Sequence, residues 1–266
     1  MRRARGYSEV LGDTLIDGSI GTLVVWTTVA ASMLVCLRMV FAALAPNLLS
    51  YFIAIRQTGV AIAIFLSYLA PVYVAVVAPH LEGGRTEAIV WLALGAGLGG
   101  MALILVPGLT GESMRLTATG LFFAVLAGAM YAVYLIVGKQ LRRRGVHATT
   151  IVFSMCAVAA VLLLPLGLAQ SGAAEFTGRN LLMAAVLGVV CTALSFSLIM
   201  DGMHFIKVQH AAIMGHLEPV TAPLYALLLL GQAPVWWTVA GGALIIAAGV
   251  LVVLFGGVEP EPEFHE

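Results

Sequence analysis

Residues 216–225, HLEPVTAPLY, sit inside an apolar run that extends from His210 to Gly231. A carboxylate at the centre of a membrane helix costs about 2.5–3.5 kcal/mol on insertion scales, which makes Glu218 a functional candidate by default. The chemistry it brings is reversible protonation. At helical spacing Met214, Glu218, Thr221 and Tyr225 share one face, a stripe suited to lining an aqueous cavity. The alternative is a structural acid, protonated or hydrogen-bonded to a neighbouring helix, that pins packing. His216 lies about 200° around a helix from Glu218, so the two are not expected to face one narrow cavity. Pro219 and Pro223 remove backbone donors and free the carbonyls of Gly215 and Pro219, marking either a hinge or a fixed bend. Tyr51, Tyr68, Tyr131 and Tyr134 are further candidates, each able to offer a hydroxyl to a substrate or to bond a neighbouring helix.

Composition decides which elements position these residues. Of the 266 residues, 61% are hydrophobic and 10% charged, whereas a soluble domain carries roughly 25% charged residues. So much apolar surface needs lipid as its solvent, and the chain reads as an all-α, polytopic membrane protein. The 13 basic and 13 acidic residues balance, and no basic field suggests nucleic acid. Cys36, Cys156 and Cys191 all lie in apolar segments and read as packing residues. Runs 60–81, 88–109, 118–138, 148–169, 180–200, 210–231 and 235–256 are each long enough to cross a bilayer, and an eighth, 38–57, is bounded by Arg38 and Arg56. Residues 20–35 form a ninth crossing, an extension of the eighth run, or an interfacial segment. The leading apolar run starts only at about Ile20, so a cleaved signal peptide is not expected.

Lys139, Arg142, Arg143 and Arg144 share one connection and mark it as cytoplasmic. Eight crossings then place both termini in the cytoplasm, in agreement with the leading MRRAR. The expected organisation is a cytoplasmic segment 1–19, a shortened first repeat 20–109, a five-helix second repeat 118–256 and a cytoplasmic acidic tail 257–266, in the cytoplasmic membrane.

The repeat is visible when 60–83 is set against 208–231, 148 residues later. Val60, Ala63, Leu69, Pro71, Val72, Ala78, Leu81 and Gly83 each meet their own residue type, His216 meets Tyr68, and Glu218 meets Ala70. Loop charges orient the two copies oppositely. Inverted repeats with helices broken at matched prolines, here Pro71 and Pro219, point to a secondary transporter with its site near the midplane.

The segments IAIRQTGVAIAIFLSYLAPVYVAVVA (53–78), LFFAVLAGAMYAVYLIVGKQLRRRG (121–145) and HLEPVTAPLYALLLLG (216–231) together resemble EamA-type members of the drug/metabolite transporter superfamily, over roughly residues 38–256. The resemblance implies a ten-helix fold of two inverted five-helix repeats with cytoplasmic ends. It also implies efflux, less often uptake, of small metabolites such as amino acids. Two departures stand out. Gly231 is followed by Gln232 where the family often has Glu, and the first repeat supplies three helices plus 20–35, giving eight to nine helices.

The expected function is a secondary transporter of a small metabolite, an amino acid or related compound, acting in efflux and coupled to protons. The alternative is a truncated, non-transporting remnant or a partner subunit of a transporter. No HExxH, no GxSxG and no paired aspartates occur within the spans, so neither an enzyme nor a metal or cofactor is expected. The partners are a small-molecule substrate, the bilayer and protons as the coupling ion. The Gly95–Gly100 run allows close helix approach, within the chain or in a homodimer.

Overall fold

The computed structural model describes residues 2–19, 46–58, 60–82, 84–111, 117–157 and 177–257. The regular elements among them are all helical: α1 (Arg2–Gly18), α2 (Pro46–Thr58), α3 (Val60–Ser67), α4 (Ala70–Glu82), α5 (Ala88–Gly111), α6 (Ala118–Arg143) and α7 (Ala148–Ala157). Next come α8 (Gly178–Gly188), a π-turn (Val189–Leu194), α9 (Ser195–Gly202), α10 (Val208–Met214), a 3₁₀ turn (Gly215–Leu217), α11 (Glu218–Leu230) and α12 (Trp236–Phe255). Six stretches are long and apolar enough to cross a membrane: Ile62–Glu82, Ala88–Leu105, Ala118–Arg143, Gly178–Gly202, Val208–Leu230 and Trp236–Phe255. Phe153 and Leu228 are 74% and 77% exposed, an arrangement that water would penalise and lipid rewards. The chain is a polytopic helical membrane protein. The ambiguous stretch 20–35 lies outside the described residues, as do parts of the runs 38–57 and 148–169.

Local chemistry sets the ends. The Thr117 side chain accepts from the Gly120 amide at 3.1 Å to start α6, and Thr177 accepts from Asn180 N at 3.3 Å to start α8. Arg142 and Arg143 occupy the last turn of α6, where they complement its carbonyl end. Gly231 closes α11 with φ 67°, a left-handed conformation that glycine adopts without strain.

Residues 2–18, which form no apolar run in the sequence, fold as α1 against α9, α10 and α11. In the second repeat α6 packs in the same way against α2, α3 and α4. The helix α1 therefore has the position in one half of the bundle that α6 has in the other. It runs antiparallel to α9 at backbone contact: a Cβ on Gly6 would stand 2.8 Å from the Gly202 carbonyl, and one on Gly202 2.7 Å from the Gly6 carbonyl. The contact between α5 and α12 is reciprocal in the same sense. A Cβ on Gly100 would meet the Gly241 carbonyl, and a Cβ on Gly241 would meet that of Gly100. The main core gathers Val10, Val74, Leu94, Leu135, Ile199 and Ile213 from five of these helices and α1.

Candidate functional site

Both repeat helices are interrupted, at equivalent points. α3 stops at Ser67 and α4 starts at Ala70, leaving Tyr68 and Leu69 in a turn; α10 and α11 are separated by the 3₁₀ turn Gly215–Leu217. Pro71 and Pro219 each fall in the first turn after the break, where the missing N–H is one that the helix leaves unbonded anyway. Pro223 is inside α11. On the other side, Gly128 of α6 admits the carbonyls of Leu66 and Ser67, which a Cβ would approach to 3.0 and 2.9 Å.

The two breaks meet. The Tyr68 hydroxyl donates to Glu218 Oε2 at 2.7 Å, and the Tyr68 carbonyl lies 3.1 Å from His216 Nε2. The His216 ring, wholly buried, stacks on Tyr68 with centroids 5.9 Å apart. So Glu218 and His216 converge on one tyrosine, which the α-helical offset of 200° did not anticipate. The 3₁₀ turn between them changes that offset, because it winds about 3.0 residues per turn. Gly97 makes room for His216: a Cβ there would come within 2.6 Å of Nδ1.

α1 brings in a second polar group. Thr221 Oγ1 donates to the Thr14 carbonyl at 3.1 Å, seating α11 on α1. Asp13, 3% exposed, accepts from Ser195 Oγ at 2.7 Å through Oδ1. Ser195 is the first residue after the π-turn, a helical irregularity frequent at functional sites. Asp13 lies within electrostatic range of Asp17 and Glu218. Tyr51 is in range of Glu218, and Tyr131 of all three acids. Tyr131 stacks on Tyr134 at 5.9 Å, and Tyr134 meets Phe196 edge-on at 5.2 Å. Tyr225 is half-buried further along α11, and among the described residues no hydrogen bond ties it to this cluster. Asp13, Asp17 and Ser195 are not recognisable as site residues in the sequence; the available signal was the i, i+4 spacing of the two aspartates. Among the described residues no three acidic, histidine or cysteine side chains converge to hold a metal ion.

At the end that carries Lys139 and Arg142, charged groups tie the two halves together. Glu87, just before α5, receives Lys207 Nζ and the Gly257 amide, the latter at 2.7 Å. His210 Nε2 is 3.6 Å from Glu87, while its Nδ1 is 2.9 Å from the Tyr7 hydroxyl. Arg3 donates to the carbonyls of Val253 and Gly256 at 3.0 and 2.6 Å. Burial pushes the Glu87 carboxyl up, but the Lys207 hydrogen bond, the Gly257 amide and the Lys207 charge outweigh it and hold the carboxyl below its ordinary range. Lys139, 1% exposed, donates to the carbonyls of Met203 and Ile206 at 2.5 and 2.9 Å, and Arg142 pairs with Asp201 at 2.7 Å.

Comparison with known proteins places this architecture. The family model described as EamA-like transporter family matches residues 118–255, more than half of the chain. The chain belongs to the EamA-like transporter family. An uncharacterized transporter of Archaeoglobus fulgidus is 36% identical over 204 residues, 76% of this chain and 70% of its own. The threonine/homoserine exporter RhtA of Salmonella typhimurium is 25% identical over 200 residues, 75% of this chain and 64% of its own, so less than two thirds of that relative is spanned. The uncharacterized transporter YxxF of Bacillus subtilis is 26% identical over 211 residues, 78% of this chain and 66% of its own. One solved crystal structure superposes with a TM-score of 0.80 over 95% of this chain and 98% of its own at 17% identity, a likeness of fold alone. Membership in the EamA-like family gives the chain a general role as a membrane transporter of small molecules, and interrupted helices meeting in the bundle suit that role.

Proposed function

We propose that the chain is a secondary transporter that exports an amino acid or a related small metabolite across the cytoplasmic membrane, coupled to protons, with Glu218 as the coupling acid. Under this reading the Lys139–Arg144 connection and both termini face the cytoplasm, as their basic residues favour. The observation that carries it is the Tyr68–Glu218 hydrogen bond, which joins the two interrupted helices of opposite repeats near the middle of their spans. Glu218 opens a half-helix, where the local dipole is of the kind that secondary transporters use for polar cargo. The export direction and the amino-acid class draw on the name of the relative RhtA.

The test is flux from pH-jumped proteoliposomes loaded with labelled threonine, homoserine and a wider amino-acid panel, for wild type and Glu218→Gln. Wild-type flux should follow the proton gradient, and the variant should lose that dependence. Gradient-driven flux unchanged in Glu218→Gln would retire Glu218 from coupling. Folded wild-type protein that moves none of the panel would overturn the amino-acid assignment.

A further inference from the structure

We propose that Asp13 and Tyr134 form a subsite for the ammonium group of the transported molecule. This rests on the transporter reading above and specifies what the cargo must present.

Asp13 is delivered to the middle of the bundle by α1, held by the Gly6–Gly202 backbone contact and by the Thr221–Thr14 hydrogen bond. Its carboxyl accepts from Ser195 Oγ, and its acidic neighbours are Asp17 and Glu218. Among the described residues no lysine or arginine pairs with it. One hydroxyl is thin compensation for a carboxylate taken out of water, a cost that protonation, further hydrogen bonds or an incoming counter-charge must relieve.

Tyr134 brings a second unmatched polar group to the same place. It comes from α6, in the opposite half of the bundle, and is 6% exposed. Its hydroxyl has no hydrogen-bond partner among the described residues. The ring is fixed by Tyr131 on one face and by Phe196, the neighbour of Ser195, at its edge, and the hydroxyl stands within electrostatic range of Asp13 and Asp17. Native structures rarely leave a buried hydroxyl unbonded, so such a group calls for a partner from outside the chain.

A primary ammonium lodged between the two groups would satisfy both at once. One N–H makes a charge-assisted hydrogen bond to Asp13, a second is accepted by the Tyr134 oxygen, and the face of Tyr131 offers a cation–π contact. A carboxylate or phosphate would meet Asp13, Asp17 and Glu218 with like charge. A neutral hydroxyl would serve Tyr134 but bring Asp13 no counter-charge. Of these groups only the amine answers the whole site.

The test uses the full chain in nanodiscs and two probes of equal size, propylammonium and 1-propanol, read by thermal unfolding at neutral pH. Propylammonium should raise the midpoint in wild type and propanol should not. Asp13→Asn should abolish the difference. Tyr134→Phe removes a hydroxyl that bonds nothing among the described residues, so the unliganded midpoint should hold while apparent affinity falls about tenfold, the loss of one hydrogen bond to a charged group. That variant keeps the test decisive should Asp13→Asn fail to fold. Equal responses to both probes, no response in wild type, or a propylammonium shift that survives both substitutions would each overturn the proposal. Loss of proton-driven flux with the propylammonium response intact would instead remove the coupling assignment and leave this subsite standing.

Discussion

Tyr68, in the break of one repeat, donates its hydroxyl to Glu218 at the start of the other repeat's half-helix, 2.7 Å away. Tyr68→Phe deletes that donor and little else. Stability should fall by about 1–3 kcal/mol, the cost of unpairing a partly buried acceptor. The pH at which proteoliposome flux is half-maximal should move, because Glu218 loses the hydroxyl that reaches it from the opposite repeat. Flux with an unchanged pH profile would show that the bond is architectural.

Gly97 and His216 should behave as a coupled pair. A methyl at Gly97 would stand 2.6 Å from His216 Nδ1, so Gly97→Ala should cost about 1–3 kcal/mol by overpacking. The double variant Gly97→Ala/His216→Ala should recover much of that loss, measured as non-additive unfolding free energies. Additive costs would mean that the penalty of the methyl does not come from the His216 ring.

Acid should loosen the charged end first. The folded-state Glu87 carboxyl is held below its ordinary range, chiefly against the pull of burial, by Lys207 and the Gly257 amide. A depressed carboxyl contributes stability that is present above the unfolded-state value, about 4.3, and is lost as pH falls through the lower folded-state value. Amide exchange at residues 207–210 and 252–257 should therefore accelerate below about pH 4 in wild type. In Glu87→Gln it should already be fast at neutral pH and respond little to acid.

The two glycine contacts between α5 and α12 predict a contrast along one helix. Gly100→Ala drives a methyl into the Gly241 carbonyl and should destabilise by several kcal/mol, on the order of 3. Gly95→Ala and Gly99→Ala face open space, with nothing within 4 Å of the added carbon, and should be neutral or slightly stabilising. Thermal unfolding of the three variants in detergent checks the ordering.

The spans were legible because lipid demands long apolar runs, and the repeat because Pro71 and Pro219 punctuate both copies. The place of α1 was not. Arg2, Arg3, Arg5, Glu9, Asp13 and Asp17 interrupt any apolar run, and what absorbs several of those charges lies far along the chain: the Val253 and Gly256 carbonyls for Arg3, Ser195 for Asp13. A helix whose polar groups are matched only by tertiary contacts looks, in one dimension, like a water-facing segment. The His216–Glu218 relationship was hidden for a smaller reason, since a three-residue 3₁₀ turn is enough to rotate one side chain toward the other. The small-residue run 95–100 did not reveal which of its glycines make close contacts: Gly97 and Gly100 do, whereas Gly95 and Gly99 face open space.

Where α5 and α12 cross, each main chain rests directly against the carbonyl of the other. Translation along that crossing would force one carbonyl over the next, whereas tilting about it disturbs neither. If the two repeats rock during transport, this is where the fulcrum lies. Side chains would have made a ratchet of the same crossing, with discrete steps; bare backbone makes it a bearing.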